Sequence, residues 1–218
     1  MPLYKTIHVN DFTKVLIWKI QETIEDLTLG IELTENSQSR LTSMKSVLHQ
    51  QGFMSIRHLL QQVGYADADV YYDEFGKPHL KDGSYISITH SFTFTAIIIS
   101  KKHPVGIDVE KQRDKIVKIA HKFTPIEEYN TFANHDALVS KLTIVWGAKE
   151  SLYKIYGKKK LRFLHHIYIE DFAFLIFSLM IIRLLVKLFQ DSKYFNIHNM
   201  TLYFLILNLR YEDLHKNW

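Results

Sequence analysis

No cysteine occurs among the 218 residues, so disulfides and thiolate metal sites are excluded and a reducing compartment is permitted. A glycine-rich phosphate loop is missing too, which argues against a nucleoside triphosphatase. No internal repeat is visible. The stretch from Met1 to His8 lacks the charged and apolar regions of a secretory signal, so residence in the cytoplasm is the expectation. A large charge of one sign is also lacking: 27 Lys and Arg stand against 23 Asp and Glu, for a net charge of +4. That mild excess suits an acidic partner or a phosphorylated ligand and falls far short of a dedicated nucleic-acid binder. What the chain has in quantity is apolar residues, 47% of the total. That is enough for a sizeable core and excludes a disordered chain. The length allows one large domain or two small ones.

Along the chain, Thr34-Glu35-Asn36-Ser37 opens a helix running through Arg40, Leu41, Met44, Val47 and Leu48, whose apolar residues recur at three- and four-residue steps. A second helix is expected from Ser55 to Val63, stopped by Gly64. Val70 to Pro78 reads as strand, tight turn and extended stretch, and Lys81-Asp82-Gly83-Ser84 as a further turn. Tyr85–Thr89 and Phe94–Ser100 read as strands, the second apolar enough to be buried. Lys101 to Pro104 is a connector and Val105–Glu110 the next strand. A short helix over Ile116–His121 follows, then a helix start at Thr124-Pro125-Ile126-Glu127-Glu128. A long helix from about Asp136 to Tyr156 is expected to end at Gly157.

Two short segments carry the chemistry: Val105-Gly106-Ile107-Asp108-Val109-Glu110 and Trp146-Gly147-Ala148-Lys149-Glu150-Ser151-Leu152-Tyr153-Lys154. Residues two apart on a strand share a face, which would set Asp108 beside Glu110. Residues four apart on a helix are neighbours, which sets Glu150 beside Lys154. A few hard carboxylate oxygens with lysines alongside suit Mg²⁺ and a diphosphate, because Mg²⁺ keeps several waters and binds through a few carboxylates plus substrate phosphates. Each segment alone has a plainer explanation, a solvated strand face or a helix-stabilising ion pair. Their joint order makes the signal.

Upstream lie Gly76-Lys77-Pro78-His79-Leu80 and Ser87-Ile88-Thr89-His90-Ser91. With the two segments above, this series resembles the motifs of the 4′-phosphopantetheinyl transferases, in the long single-chain type that activates carrier proteins. The resemblance covers about Lys77 to Arg162. It implies an α+β fold of two similar α/β halves related by a pseudo-twofold axis, with the active site at their interface. The halves would be residues 1–102, on the coenzyme A nucleotide side, and 103–218, with the metal and catalytic motifs. It also implies transfer of the phosphopantetheine of coenzyme A to a serine of an acyl or peptidyl carrier protein, releasing 3′,5′-ADP. A monomer with no nucleic-acid or membrane partner is expected.

By that resemblance Asp108, Glu110 and Glu150 are the magnesium ligands, and Glu150 also accepts the serine proton. Lys154 holds the diphosphate oxygens as a point charge. Lys149, rotated about 100° from Glu150, is a second phosphate contact or a solvated side chain. His90 would donate to a coenzyme A phosphate, beside Thr89 where the family commonly has Ser. Lys77 would reach the adenine-nucleotide end, and Arg40, with Lys45 as competitor, the 3′-phosphate. Trp146 is read as packing and Ser151 as a small residue that allows close approach. Lys158, Lys159, Lys160 and Arg162 form a solvated loop or a dock for an acidic carrier helix. His165 and His166, adjacent, make no metal site. Two rival readings stay open: another metal-dependent phosphoesterase or nuclease, and a non-catalytic paralogue that binds coenzyme A or carrier protein. The apolar tail from about Phe172 keeps the second alive. It reads as a membrane span weakened by Arg183 and Lys187, as paired core strands, or as a segment out of its ancestral coding frame.

Overall fold

The first strand, β1 (Leu3–Asn10), turns back at once into β2 (Thr13–Lys19), in a computed structural model that describes residues 3–129 and 134–169 together with the backbone of four later strands. The chain divides into two compact units, Met1–Ile107 and Asp108–Trp218.

In the first unit, β5 (Tyr85–Ser91) and β6 (Phe94–Ser100) complete an antiparallel sheet in the order β1-β2-β6-β5. All seven residues of β6 are buried, as an apolar run flanked on both sides by partner strands should be. Its register sets Thr13 opposite Ser100 and Ile88 opposite Ile97. The helices of this unit are α1 (Ile24–Thr28), α2 (Glu35–Ser43) and α3 (Val47–Gln61). Helix α3 lays Phe53, Met54, Ile56, Leu59 and Leu60 onto a core with Leu16, Trp18, Ile97 and Ile99. Full burial of such side chains stabilises by about 1.5–3 kcal/mol each. A buried Ser55–Thr95 hydroxyl pair at 2.8 Å ties α3 to β6. A small hairpin of β3 (Val70–Tyr72) and β4 (Pro78–Leu80) completes the unit. Gly76 in its turn has φ +86°, a conformation glycine adopts without steric cost.

In the second unit, α4 (Lys115–Ile119), α5 (His135–Tyr156) and α6 (Phe163–His166) precede β7 (Ile167–Ile169). Helix α5 starts on Asn134, whose side chain accepts from the amides of Asp136 and Ala137. It stops at Gly157 in the left-handed conformation. Its Leu142, Val145, Ala148 and Leu152 pack with Phe123, Ile167 and Ile169. Strands β8 (Met180–Ile182), β9 (Val186–Gln190), β10 (Lys193–Asn196) and β11 (Phe204–Ile206) follow. They form antiparallel pairs, β9 with β7 and β10, and β8 with β11. Mixed helix and sheet therefore stands as expected. No helix among the described residues is long and apolar enough to cross a membrane. The described pieces of the apolar run beginning at Phe172 are strands; the rest of it, and the reading-frame idea, lie outside the described residues.

Several expectations are corrected. Val105–Glu110 is not a strand: Val105, Ile107 and Val109 are buried, but the Ile107 amide donates to the Ser87 hydroxyl at 3.2 Å rather than into a ladder. The helix opened by Thr34 ends at Ser43, and a separate helix begins at Val47 and takes in the segment from Ser55. The helix start expected at Thr124 is only a 3₁₀ turn, Ile126–Glu128, with Pro125 at its N-cap, and the Thr124 hydroxyl donates to Glu128 Oε2 at 2.6 Å. His165 and His166 lie in α6. The β1–β2 hairpin had no counterpart in the sequence reading.

Candidate active site

Helix α5 presents Trp146, Glu150 and Lys154 at four-residue steps, hence along one face. The segment after Ile107 brings Asp108 and Glu110 to that face. Lys154 Nζ donates to Asp108 Oδ1 at 2.8 Å, and Trp146 Nε1 donates to Glu110 Oε1 at 3.2 Å. The Trp146 ring itself packs edge-on against Phe123, with centroids 5.1 Å apart, and at a tilt against Phe163 at 5.3 Å. Trp146 therefore does more than pack: it aims a carboxylate.

The electrostatics show how close the acids are. Burial first, then the charges of Asp108 and Glu110, push the Glu150 carboxyl up to about 7, with Lys154 acting the other way. Glu110 is also raised, chiefly by burial and next by Asp108, against the opposing Trp146 hydrogen bond. Three mutually repelling carboxylates are a donor set that a divalent cation would relieve, and their hard oxygens fit Mg²⁺. Among the described residues no three acids or histidines already stand close enough to hold an ion. An ion that retains several waters does not require that they do.

Lys149 corrects its expected role. It is 3% exposed, and its ammonium donates to the backbone carbonyls of Phe123 and Phe163. It is neither solvated nor turned towards a phosphate; it pins α5 to two neighbouring segments. Burial lowers its pKa to about 8, with Glu128 opposing. Ser151 is fully buried, and among the described residues its hydroxyl has no hydrogen-bond partner. Beside Glu110 lies a cavity of about 220 Å³ whose wall includes Lys111, Arg113, Lys115, Thr143 and Trp146.

The first unit holds a second constellation. A cavity of about 270 Å³ is lined by Arg40, His49, Phe53, Tyr72, Ile88 and His90, among others. The Arg40 guanidinium lies 5.2 Å from the centre of the Tyr72 ring and 5.6 Å from that of Phe53. The His49 and His90 rings meet edge to face at 6.1 Å. A cation over aromatic faces with two imidazoles beside it is chemistry for a phosphate next to a flat ring. Of the expected nucleotide contacts, Arg40 and His90 share this cavity. Thr89 does not: it is 4% exposed on the opposite face of β5. Lys45 is exposed and off the cavity wall, and half-buried Lys77 lies in the β3–β4 turn. The Lys77 amide donates to Asp73 Oδ1, and burial lowers its ammonium pKa against the pull of Asp73. Tyr72, Phe53 and His49 escaped the sequence reading, because only the fold shows which aromatics lie under Arg40.

One unit thus carries a carboxylate cluster with a clamping lysine, and the other a cationic aromatic cavity. Residues 104–194 match the family model described as the 4′-phosphopantetheinyl transferase superfamily. That stretch contains Asp108, Glu110, Glu150 and Lys154. The chain is 31% identical over 106 residues to the 4′-phosphopantetheinyl transferase gsp of Aneurinibacillus migulanus, covering 47% of this chain and 44% of that protein. It is 33% identical over 89 residues to a 4′-phosphopantetheinyl transferase of Bacillus subtilis, covering 39% of each. Residues 104–194 are thus similar to that superfamily, and the resemblance read from the motif series is borne out. Its match spans less than half the length of these curated relatives.

Proposed function

We propose that this chain is a 4′-phosphopantetheinyl transferase that moves the phosphopantetheine of coenzyme A to a carrier-protein serine. The observation that carries the reading is the convergence of Asp108, Glu110, Glu150 and Lys154 within the segment that matches the family. The comparisons favour this over a nuclease or other phosphoesterase, since the relatives are named as transferases.

In the proposed reaction the serine Oγ attacks the phosphorus that bears the pantetheine arm. The bond from that phosphorus to the bridging oxygen breaks, and 3′,5′-ADP leaves with the electron pair. Asp108, Glu110 and Glu150 would hold Mg²⁺, which when bound neutralises charge on the diphosphate. Glu150 would also accept the serine proton. Lys154 turns from Asp108 to the diphosphate oxygens and steadies the departing phosphate. In the first unit, Arg40 and His90 hold the 3′-phosphorylated nucleotide end, with Tyr72 and Phe53 offering ring faces, and Lys77 is a further nucleotide contact. The exposed Lys158, Lys159, Lys160 and Arg162 suit an acidic carrier surface by charge complementarity.

The test is intact-mass spectrometry of an apo carrier protein after incubation with the chain, coenzyme A and Mg²⁺. A mass gain equal to the phosphopantetheine arm, lost in Glu150→Gln and Asp108→Asn, supports the assignment. A cooperatively folded chain that binds coenzyme A but modifies no carrier protein refutes transfer.

A further inference from the structure

Helix α2 carries Arg40 in its last turn, yet Leu41 is its one buried residue. Nine residues with so little apolar contact do not make a stable helix by themselves, since isolated helices shorter than about 12–15 residues are marginal in water. What holds its other end is Asp67. The Asp67 carboxylate, 1% exposed as a side chain, accepts from the Thr34 amide at 2.9 Å and the Thr34 hydroxyl at 2.8 Å. It also accepts from the Ser37 hydroxyl at 2.9 Å and from Arg57 Nε at 2.9 Å. Thr34 is in turn the N-cap of α2, its hydroxyl accepting from the Ser37 amide.

The same carboxylate reaches the cavity from the other side. Arg57 donates to the Phe53 carbonyl and to Ser37 Oγ, and its guanidinium lies 3.4 Å from the centre of the Phe53 ring. Phe53 is one of the two rings next to Arg40. One buried acid therefore fixes both the helix that bears the cation and the ring beside it. It also neutralises Arg57, leaving Arg40 as the arginine whose charge the cavity presents to a ligand.

We propose that Asp67 is a positioning residue: by anchoring α2 and Arg57 it holds Arg40 in place and sets the cavity's affinity for an adenine nucleotide bearing a 3′-phosphate. This rests on the reading that the cavity takes the nucleotide end of coenzyme A. Without the anchor, Arg40 must be ordered at the moment of binding, and the ligand bears that ordering cost.

The probes are 3′,5′-ADP and 5′-ADP, titrated calorimetrically into the full chain. Asp67→Asn would leave the buried Arg57 charge uncompensated and risks unfolding, so the anchor is cut at its α2 end with Ser37→Ala and Thr34→Val. Each is expected to weaken 3′,5′-ADP roughly fivefold, the size of one lost cap contact, while 5′-ADP changes little. In an Arg40→Gln background the same substitutions should add little, because the effect runs through Arg40. Amide exchange should quicken in α2 and not in α3. Unchanged affinity in both variants overturns the proposal, as does an equal loss with Arg40 already removed. If the unaltered chain does not bind 3′,5′-ADP at all, the nucleotide assignment itself fails, which is a distinguishable result.

Discussion

Lys154 Nζ lies 2.8 Å from Asp108 Oδ1, so the last turn of α5 is bonded to the segment that also carries Glu110. The pair is mostly shielded, with side-chain exposures of 26% and 7%. Here the lysine balances the acid. In the proposed reaction the diphosphate becomes its partner, and Asp108 is released for a cation. Asp108→Asn should therefore abolish transfer while costing the free chain only about 1–2 kcal/mol, less than a fully buried pair would. The sharper readout is linkage. Coenzyme A with Mg²⁺ at roughly 100 times the dissociation constant should stabilise the unaltered chain by about 2.7 kcal/mol, and Asp108→Asn should lose most of that gain in a thermal melt. An equal ligand-induced shift in both chains removes Asp108 from the site.

Glu150 makes a prediction about pH in the free chain. Its carboxyl is raised to about 7 in the fold by burial and by its acidic neighbours, against about 4.3 for an unperturbed glutamate. Between those values the folded state holds a proton that the unfolded state has lost, so stability falls as pH rises through that window. Below it both states are protonated and the penalty is absent. Glu150→Gln should flatten this part of the stability–pH curve and melt higher than the unaltered chain at pH 8. If the two curves stay parallel from pH 5 to 8, the acids are not as crowded as described.

Lys149 should behave as a structural residue despite lying next to Glu150 in sequence. Its ammonium satisfies the buried Phe123 carbonyl and the partly buried Phe163 carbonyl, so Lys149→Met strands both acceptors. The expected cost is about 2–4 kcal/mol from the unpaired groups. Stabilisation by coenzyme A and Mg²⁺ should persist once the lower baseline is allowed for. A normal melt combined with lost coenzyme A binding would return Lys149 to the ligand site.

The contrast between Lys149 and Glu150 shows what the sequence made legible. Spacing alone placed Glu150 and Lys154 on one helical face, and α5 ends at Gly157 as its turn chemistry required. The buried strand β6 followed from an unbroken apolar run. Rotation about the helix axis put Lys149 away from Glu150, but it could not say that carbonyls of Phe123 and Phe163 waited there. Nor could local pattern say that residues 105–110 would not form a strand, since pairing depends on chain far away in sequence. Arg40 was found by resemblance, whereas Tyr72, Phe53 and Asp67 came into view only when the fold brought three separate segments together.

Ser151 offers a test in the opposite direction, a substitution that should help. Its hydroxyl is fully buried among the packed residues of α5 and makes no hydrogen bond among the described residues, so folding strips it of water without return. Ser151→Ala removes the stranded group and improves helix propensity, with only an oxygen's volume lost. The chain should gain about 0.5–1.5 kcal/mol, because removing an unsatisfied buried polar atom recovers its desolvation cost. Transfer should be unaffected, since the neighbouring Glu150 lies on another side of the helix. A destabilised Ser151→Ala chain would mean that the hydroxyl has a partner in solution. A stable chain with impaired transfer would mean that it acts in the site after all.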